Sequence, residues 1–431
     1  MKQLSRTLIF ILFITLNLPV WAQVAAPYEV ATWQGFRTCA VSYTFDDGCA
    51  GQFSKAIPIF DEFGYKLTMF TVSGWSGGNW SKLQQAANNG HEIANHTATH
   101  ADFSTIDAEA QEKELTTSND QINSKVTGQQ ALTMAYPYCK KGNDALHKKY
   151  FIAARGCQGT IEGKTPADFM NVSSVICGSQ GAVKTSAHFK TQANSAIQKK
   201  GWLVYLLHGV DNDNGYSPTS SDTLRKSLEY LKENEQKVWV NTFGNVARYI
   251  KERNCASISE TATTATSISL ELSDTLSNNE WYDIALSIRR ALPDGWNNAT
   301  VTQNGTEVND TVIIVNGVKY VQFDALPDGG TIVISKVEGV SSNLIKNSSE
   351  LKVTQQENML RFMVPQEFGT EPQASVYDSN GRKIMAFSRF TDESRQGCIV
   401  LDSPAIVPGV YFFSLLGNGH TATQKIIVRV K

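Results

Sequence analysis

Short apolar runs alternate with helical segments from about residue 24 to residue 255, and this rhythm constrains the fold more than any other feature of the chain. Residues 39–45 read as a buried strand, 54–63 as a helix stopped by Gly64, and 67–72 as the next strand. Residues 80–89 read as a helix stopped by Gly90, 92–94 as the start of another strand, and 108–126 as a polar amphipathic helix. Residues 201–207 are strongly apolar, Leu224, Leu228 and Leu231 repeat at helical spacing, and 238–240 is a last short strand before a helix around 246–253. Alternating β and α implies a parallel sheet or barrel, whose sites gather at the C-terminal ends of its strands. Asp46, Asp47 and His208 each fall just past a predicted strand.

The pattern changes after Cys255. Residues 256–267 are rich in Ser, Thr and Ala and read as a linker or entry strand. Residues 268–338 carry short alternating runs with Asn-Gly and Asp-Gly turns, which predicts a small all-β module. A Ser/Asn-rich break follows at 339–350, and 348–431 is again β-like, with the turn Asp378-Ser379-Asn380-Gly381 and the ending Gly409-Val410-Tyr411-Phe412-Phe413. The expected fold class is α/β over 28–255, followed by two small sandwich-like β modules. A chain of 431 residues is long enough for two or three domains. Its net charge of -2 gives no reason to expect nucleic acid or an anionic membrane as partner.

Lys2 and Arg6 precede a mostly apolar run over residues 8–20, and Val20-Trp21-Ala22 offers small residues where cleavage is read. Residues 1–22 are therefore expected to be a signal peptide, with no membrane span after its removal. An exported chain meets an oxidising compartment, so some of its 7 Cys are expected to pair, the odd count leaving at least one over. Sequence alone does not give the pairing.

Four short segments carry the chemistry: Thr44-Phe45-Asp46-Asp47-Gly48, His96-Thr97-Ala98-Thr99-His100, Tyr136-Pro137-Tyr138 and Leu206-Leu207-His208. The first offers two carboxylates where an apolar run ends. The second offers imidazoles at i, i+4, the spacing of one face of a helical turn. One carboxylate plus two His is a common ligand set for a divalent metal with open positions, which makes water a usable nucleophile near neutral pH. Each piece alone has a plainer reading: a turn, a solvated His pair, a satisfied core-edge His. Their combination on an α/β pattern favours a site.

Thr-Phe-Asp-Asp-Gly followed about 50 residues later by His-Thr-x-x-His, with Leu-x-His further on, resembles the polysaccharide deacetylases of carbohydrate esterase family 4, the NodB-homology domain. The resemblance covers residues ~30–253 and implies a distorted (β/α) barrel. It implies that Asp47, His96 and His100 hold the metal, expected to be Zn²⁺, that Asp46 is the general base, and that His208 is the general acid. The backbone N–H of Tyr138, following Pro137, would bind the oxyanion, and Leu206 would flank the acetyl methyl. Two departures stand out. Ala135 occupies the place where the family's third motif begins with Arg, and Arg155, after Phe151-Ile152-Ala153-Ala154, reads either as the supplier of a guanidinium from a neighbouring strand or as a surface or structural Arg. Asp168-Phe169 poorly matches the family's Asp-and-Trp motif, and Trp239 is read as lining the cleft instead, with core packing the alternative. Asp211-Asn212-Asp213-Asn214-Gly215 lacks a full Ca²⁺ ligand series and reads as a plain loop.

Residues 376–384, 408–411 and 424–428 look like a type IX secretion C-terminal sorting domain, against an ordinary terminal β-sandwich or a carbohydrate-binding module. The expectation is thus a secreted or cell-surface, metal-dependent deacetylase acting on an acetylated polysaccharide or oligosaccharide, with the type IX machinery as partner. N-acetyl groups of chitin-like glycans are the first reading and O-acetyl groups of xylan the alternative. A non-catalytic glycan-binding protein is the alternative of another class.

Overall fold

The computed structural model describes residues 23–24, 28–277 and 279–337 and, further on, strand segments between residues 353 and 428. The expected signal peptide and the break at 339–350 lie outside the described residues. The chain divides into two compact units, one ending at Glu338 and one beginning at Gly339.

In the first unit the predicted β/α rhythm becomes a parallel sheet. Its strands are β1 (Cys39–Asp46), β2 (Thr68–Thr71), β3 (Glu92–Asn95), β4 (Thr133–Ala135), β5 (Ala153–Arg155), β6 (Val175–Ile176), β7 (Trp202–Leu207) and β8 (Val238–Val240). The order is β5-β4-β3-β2-β1-β7-β6, with β8 also pairing β1, and every pair is parallel. A bridge from Val172 to Arg155 joins β5 to the segment leading into β6, so the sheet curls back on itself as a distorted barrel. Strand β1 is buried at every position, as a strand covered on both faces must be.

The helices are α1 (Ile57–Phe63), α2 (Trp80–Asn88), α3 (Ala108–Lys125), α4 (Asp144–His147), α5 (Ser186–Lys199), α6 (Ser221–Glu233) and α7 (Phe243–Cys255). Local chemistry sets their ends. Asp107, Ser220 and Thr242 side chains accept backbone N–H groups at the starts of α3, α6 and α7, and Gly64 ends α1 in the left-handed region at φ 72. Leu224, Leu228 and Leu231 are the buried stripe of α6, as their spacing predicts.

Residues 257–336 form two antiparallel sheets that borrow strands from the N-terminus. Gln23–Val24 pairs parallel with Ser257–Thr263, and Tyr28–Val30 pairs antiparallel with Leu286–Ala291. One continuous core runs from barrel residues such as Trp202, Phe243 and Tyr249 into Leu270, Ile288, Val321 and Phe323 of these sheets. Trp239, read from sequence as a cleft residue, belongs to this core. It is 4% exposed, packs on Tyr249 at 5.1 Å, and pairs with Ala40 at the N-terminal start of β1, the wrong end of the barrel for a site. Trp296 is also buried in this core.

Helix α7 carries a carboxyl into that junction. Glu252 is fully buried, with neither carboxyl oxygen hydrogen-bonded among the described residues, and its pKa is pushed up to about 9, first by burial and then by the neighbouring Asp274. A carboxyl raised in the folded state contributes stability below its unfolded pKa, and loses it as pH rises toward 9. Glu252→Gln keeps the shape and removes the titration. Its melting temperature is expected to match wild type near pH 4 and to exceed it by about 2–5 °C at pH 8, read by calorimetry across pH. A constant difference at all pH values would contradict this.

In the second unit, Val353–Gln356, Met359–Met363 and Cys398–Asp402 form one antiparallel sheet. Lys383–Phe387, Gln373–Asp378, Gly409–Gly417 and His420–Val428 form another in that order. Ala374 and Val376, and Tyr411, Phe413 and Leu415, are buried at period 2, the pattern of strands with one inward face.

Candidate active site

The ends of β1, β3, β4, β5 and β7 converge on one cleft of about 490 Å³, lined by Asp46, Asp47, His96, His100, Tyr138, Arg155, Leu206 and His208 among others. Eight residues read from sequence therefore meet in one place. Pro137 is buried in the turn that presents Tyr138.

Asp46 ends β1 and Asp47 turns out of it at φ 73. The Asp47 N–H donates to Phe70 O at 3.1 Å, which fixes the turn against β2. The His pair does not sit on a helical turn, contrary to the i, i+4 expectation. Residues 96–100 form a loop in which Thr97 and His100 have φ of 67 and 64. Side chains shape that loop: Asn95 Oδ1 accepts from Thr97 N at 2.7 Å, and Thr97 Oγ1 accepts from His100 N at 2.9 Å. Short polar side chains bonding to nearby backbone compete with helix. The pair still converges, with ring centroids 4.9 Å apart.

The donor atoms suit a cation. His96 Nδ1 donates to Ala135 O at 2.9 Å, which leaves its Nε2 lone pair facing Asp47 Oδ1 at 3.6 Å. His100 Nε2 lies 3.6 Å from the same oxygen. Asp47 Oδ1 is buried without a hydrogen-bond partner, and donor atoms of Asp47, His96 and His100 all lie within 4.8 Å of one another. A carboxylate and two imidazoles so placed fit a divalent metal, with room for other ligands on the cleft side. Burial holds His96 down at about 4 and also lowers His100, which keeps both as neutral ligands. Burial and then the Asp46 charge push Asp47 up to about 6, a cost that a bound cation would relieve.

Asp46 differs from its neighbour. Burial raises its pKa, but the Arg155 charge and hydrogen bond, together with the neighbouring imidazoles, outweigh it and leave the carboxyl below its ordinary value. Arg155 Nη2 donates to Asp46 Oδ2 at 2.5 Å. The β4–β5 register puts Arg155 directly beside Ala135, so the guanidinium reaches the carboxylate from the next strand over. His208 Nε2 is 3.9 Å from Asp46 Oδ2 and 4.0 Å from Asp47 Oδ2. Leu206 lies two residues before His208, on the same side of the strand.

Other contributors were not read from sequence. Gln52, 1% exposed in a π-helical turn before α1, donates through Nε2 to Asp46 O at 2.5 Å and His208 O at 3.0 Å, tying the ends of β1 and β7 together. Trp75 and Tyr138 pack on His100 at 5.2 and 4.6 Å, and Tyr216 packs on His208 at 4.9 Å. Trp75 and Tyr216 are 54% and 49% exposed, an uncommon state for large rings. Their position after β2 and β7 was the available signal. Cys139 and Cys157 form a disulfide, while Cys39, Cys49, Cys177 and Cys255 are free. The 211–215 segment is a plain loop whose Asp213 carboxylate accepts from Gly51, Val210 and Gly215 N–H groups. Asp168 lies outside the cleft lining and pairs with Lys141 at 2.7 Å.

Residues 36–150 match the family model for polysaccharide deacetylase. Over those residues the chain is similar to the polysaccharide deacetylase family. It is similar to a gellan lyase of Bacillus sp, 28% identical over 336 residues, which is 73% of this chain and 13% of that protein. It is similar to a chitooligosaccharide deacetylase of Rhizobium leguminosarum bv. trifolii, 35% identical over 83 residues, 18% of this chain and 37% of the relative. The chain thus spans well under half the length of these curated relatives. Among solved structures, the Xyl-CE4 domain of a multidomain xylanase from the hindgut metagenome of Trinervitermes trinervoides aligns with a TM-score of 0.37 and 19% identity, covering 48% of this chain and 89% of that one. The domain that holds the cleft is a distorted (β/α) barrel, and all-β sheets follow it.

Proposed function

We propose that this chain is an exported, metal-dependent polysaccharide deacetylase that hydrolyses N-acetyl groups of chitin-like or other amino-sugar glycans. The observation that carries the reading is the convergence of Asp46, Asp47, His96, His100 and His208 on one cleft, with Arg155 bonded to Asp46. The chitooligosaccharide deacetylase relative supports the choice of N-acetyl.

Asp47, His96 and His100 would hold the cation, with Zn²⁺ the first choice for a His₂-carboxylate set. Bound there, it supplies Lewis acidity to an acetyl carbonyl and makes water easier to ionise. Asp46, kept ionised by Arg155, accepts a proton from the attacking water. Tyr138 N–H donates to the developing oxyanion, and Leu206 packs against the acetyl methyl. The C–N bond breaks, and His208 gives a proton to the departing nitrogen. Acetate and a free amino sugar result.

Acetate release with added Zn²⁺ on chitooligosaccharides and acetylated xylan, side by side, tests the proposal. Release from the first and its loss on chelation are expected. Release from xylan alone would make the chain an O-acetyl esterase, and no release from either would favour a glycan-binding protein.

The exposed rings at the cleft suit sugar faces. Tyr216→Ala and Trp75→Ala are each expected to raise KM for chitooligosaccharides about tenfold, and to leave turnover of a small acetyl ester nearly unchanged. Equal losses on both substrates would show that the rings support the histidines instead.

Export is part of the same proposal. It is supported by the charged, apolar and small-residue order of residues 1–22, and type IX sorting by the motifs at 376–384, 408–411 and 424–428. Deleting residues 348–431 is expected to trap the chain in the periplasm, read by fractionation.

A further inference from the structure

We infer that the Cys139–Cys157 disulfide is a positioning device for the reaction: it joins the oxyanion turn and the strand end bearing Arg155 into one unit. The inference rests on the hydrolytic reading above.

Both ends of the bridge belong to the site. Cys139 follows Tyr138 in the one-turn helix Pro137–Cys139 and itself lines the cleft. Cys157 lies two residues past Arg155, where the chain leaves β5. Each end has a reason to need a tie. Tyr138 and Cys139 are consecutive side-chain-bearing residues in the left-handed region, at φ 53 and 59. Such backbone persists only when its surroundings over-determine it. Within the turn Cys139 N donates to Tyr136 O at 3.1 Å and Lys140 N to Pro137 O at 3.0 Å, and just before it Tyr136 N donates to Arg155 O at 3.2 Å. To the Tyr136–Arg155 backbone bond and the Tyr138–His100 ring contact the disulfide adds a covalent tie at Cys139 itself.

The other end carries a displaced group. With Ala at 135, the guanidinium must come from the neighbouring strand. Only Nη2 of Arg155 reaches Asp46, while Nε and Nη1 are buried without hydrogen-bond partners. A single contact does not lock a planar fork as a bidentate pair does. Its placement then depends on the Phe70 ring, 5.2 Å from Cζ, and on the backbone of residues 155–157. Gly156 N donates to Val172 O at 2.8 Å on one side, and Cys157 is bonded to the oxyanion turn on the other. The crosslink therefore closes, beyond the Tyr136–Arg155 backbone bond, the span between the group that tunes the base and the group that meets the oxyanion.

The test compares the full chain as wild type, as Cys139→Ser/Cys157→Ser, and as folded wild type treated with a water-soluble phosphine. The phosphine gives two electrons to the S–S bond and becomes its oxide with oxygen from water, leaving two thiols. Loss of the bridge is expected to lower kcat at least about tenfold, with KM and Zn²⁺ affinity within about twofold. Amide exchange at residues 136–140 is expected to rise at least about tenfold, and the phosphine to have no effect on the double-Ser chain. A bridge that only stabilises the fold would lower the melting temperature and leave kcat within about twofold, which overturns the inference. If the double-Ser chain does not fold, reduction of folded wild type decides by the same readings. A wild type that releases no acetate fails the hydrolytic reading instead, and unchanged exchange at 136–140 after reduction then overturns the positioning role on its own.

Discussion

His96→Ala is expected to lower acetate release by at least about 10³-fold while the chain still folds. Three consequences follow from one ring. The Nε2 donor facing Asp47 is lost, which breaks the ligand set. Ala135 O loses its donor, at a cost of about 1–3 kcal/mol for a buried acceptor left unpaired. Asp46 loses an imidazole whose Nε2 lies 3.8 Å from its Oδ2. Asp47→Ala should match it in activity and differ in stability. Burial and the Asp46 charge push Asp47 up to about 6 without metal. A raised carboxyl stabilises most below its unfolded pKa and loses that contribution as pH rises through about 6. Metal-free Asp47→Ala is therefore expected to melt no lower than metal-free wild type at pH 7. Added Zn²⁺ should raise the melting temperature of wild type and of neither variant. Turnover retained in either variant would remove these residues from the metal set.

The barrel was legible because its strands are short apolar runs ending in chemistry-bearing residues, as at Asp46, Asp47 and His208. Burial on both faces leaves such strands no polar alternation to blur them. The His pair was legible as a pair but not in its conformation. Spacing reports periodicity, and it does not report that Asn95 and Thr97 side chains capture the backbone of residues 96–100. Trp239 misled because a large ring near a strand end suits a cleft or a core equally well, and which end of the barrel it occupies depends on the register with Ala40. The borrowed strands Gln23–Val24 and Tyr28–Val30 were hidden for a related reason. Their partners at 257 and 288 are over two hundred residues away, and local pattern does not encode such pairing. Gln52, Trp75, Tyr216 and the Cys139–Cys157 bridge share that dependence on tertiary placement.

Arg155 was legible as a candidate, and its register with Ala135 turns it into a second strong expectation. Arg155→Ala should lower kcat about 10²-fold or more and destabilise the chain by about 3–5 kcal/mol, the range for breaking a buried ion pair from one side. Both groups are almost fully buried, so solvent does not screen the pair. With the guanidinium gone, burial is the largest influence left on Asp46 and drives its pKa up. The acid limb of the rate–pH profile should therefore move to higher pH, since the base must be ionised to accept a proton. Arg155→Lys keeps a charge but not the planar reach, and should recover stability more than rate. The decisive variant is the swap. Ala135→Arg with Arg155→Ala moves the guanidinium one strand back, to the register neighbour of its present position. If Asp46 needs a guanidinium at this height in the barrel, whichever strand supplies it, the swap should regain at least about tenfold of the lost kcat and return the acid limb toward wild type. A swap no better than Arg155→Ala, in protein that folds and binds Zn²⁺ normally, would show that Arg155 acts through the shape of β5 and not through its charge on the base.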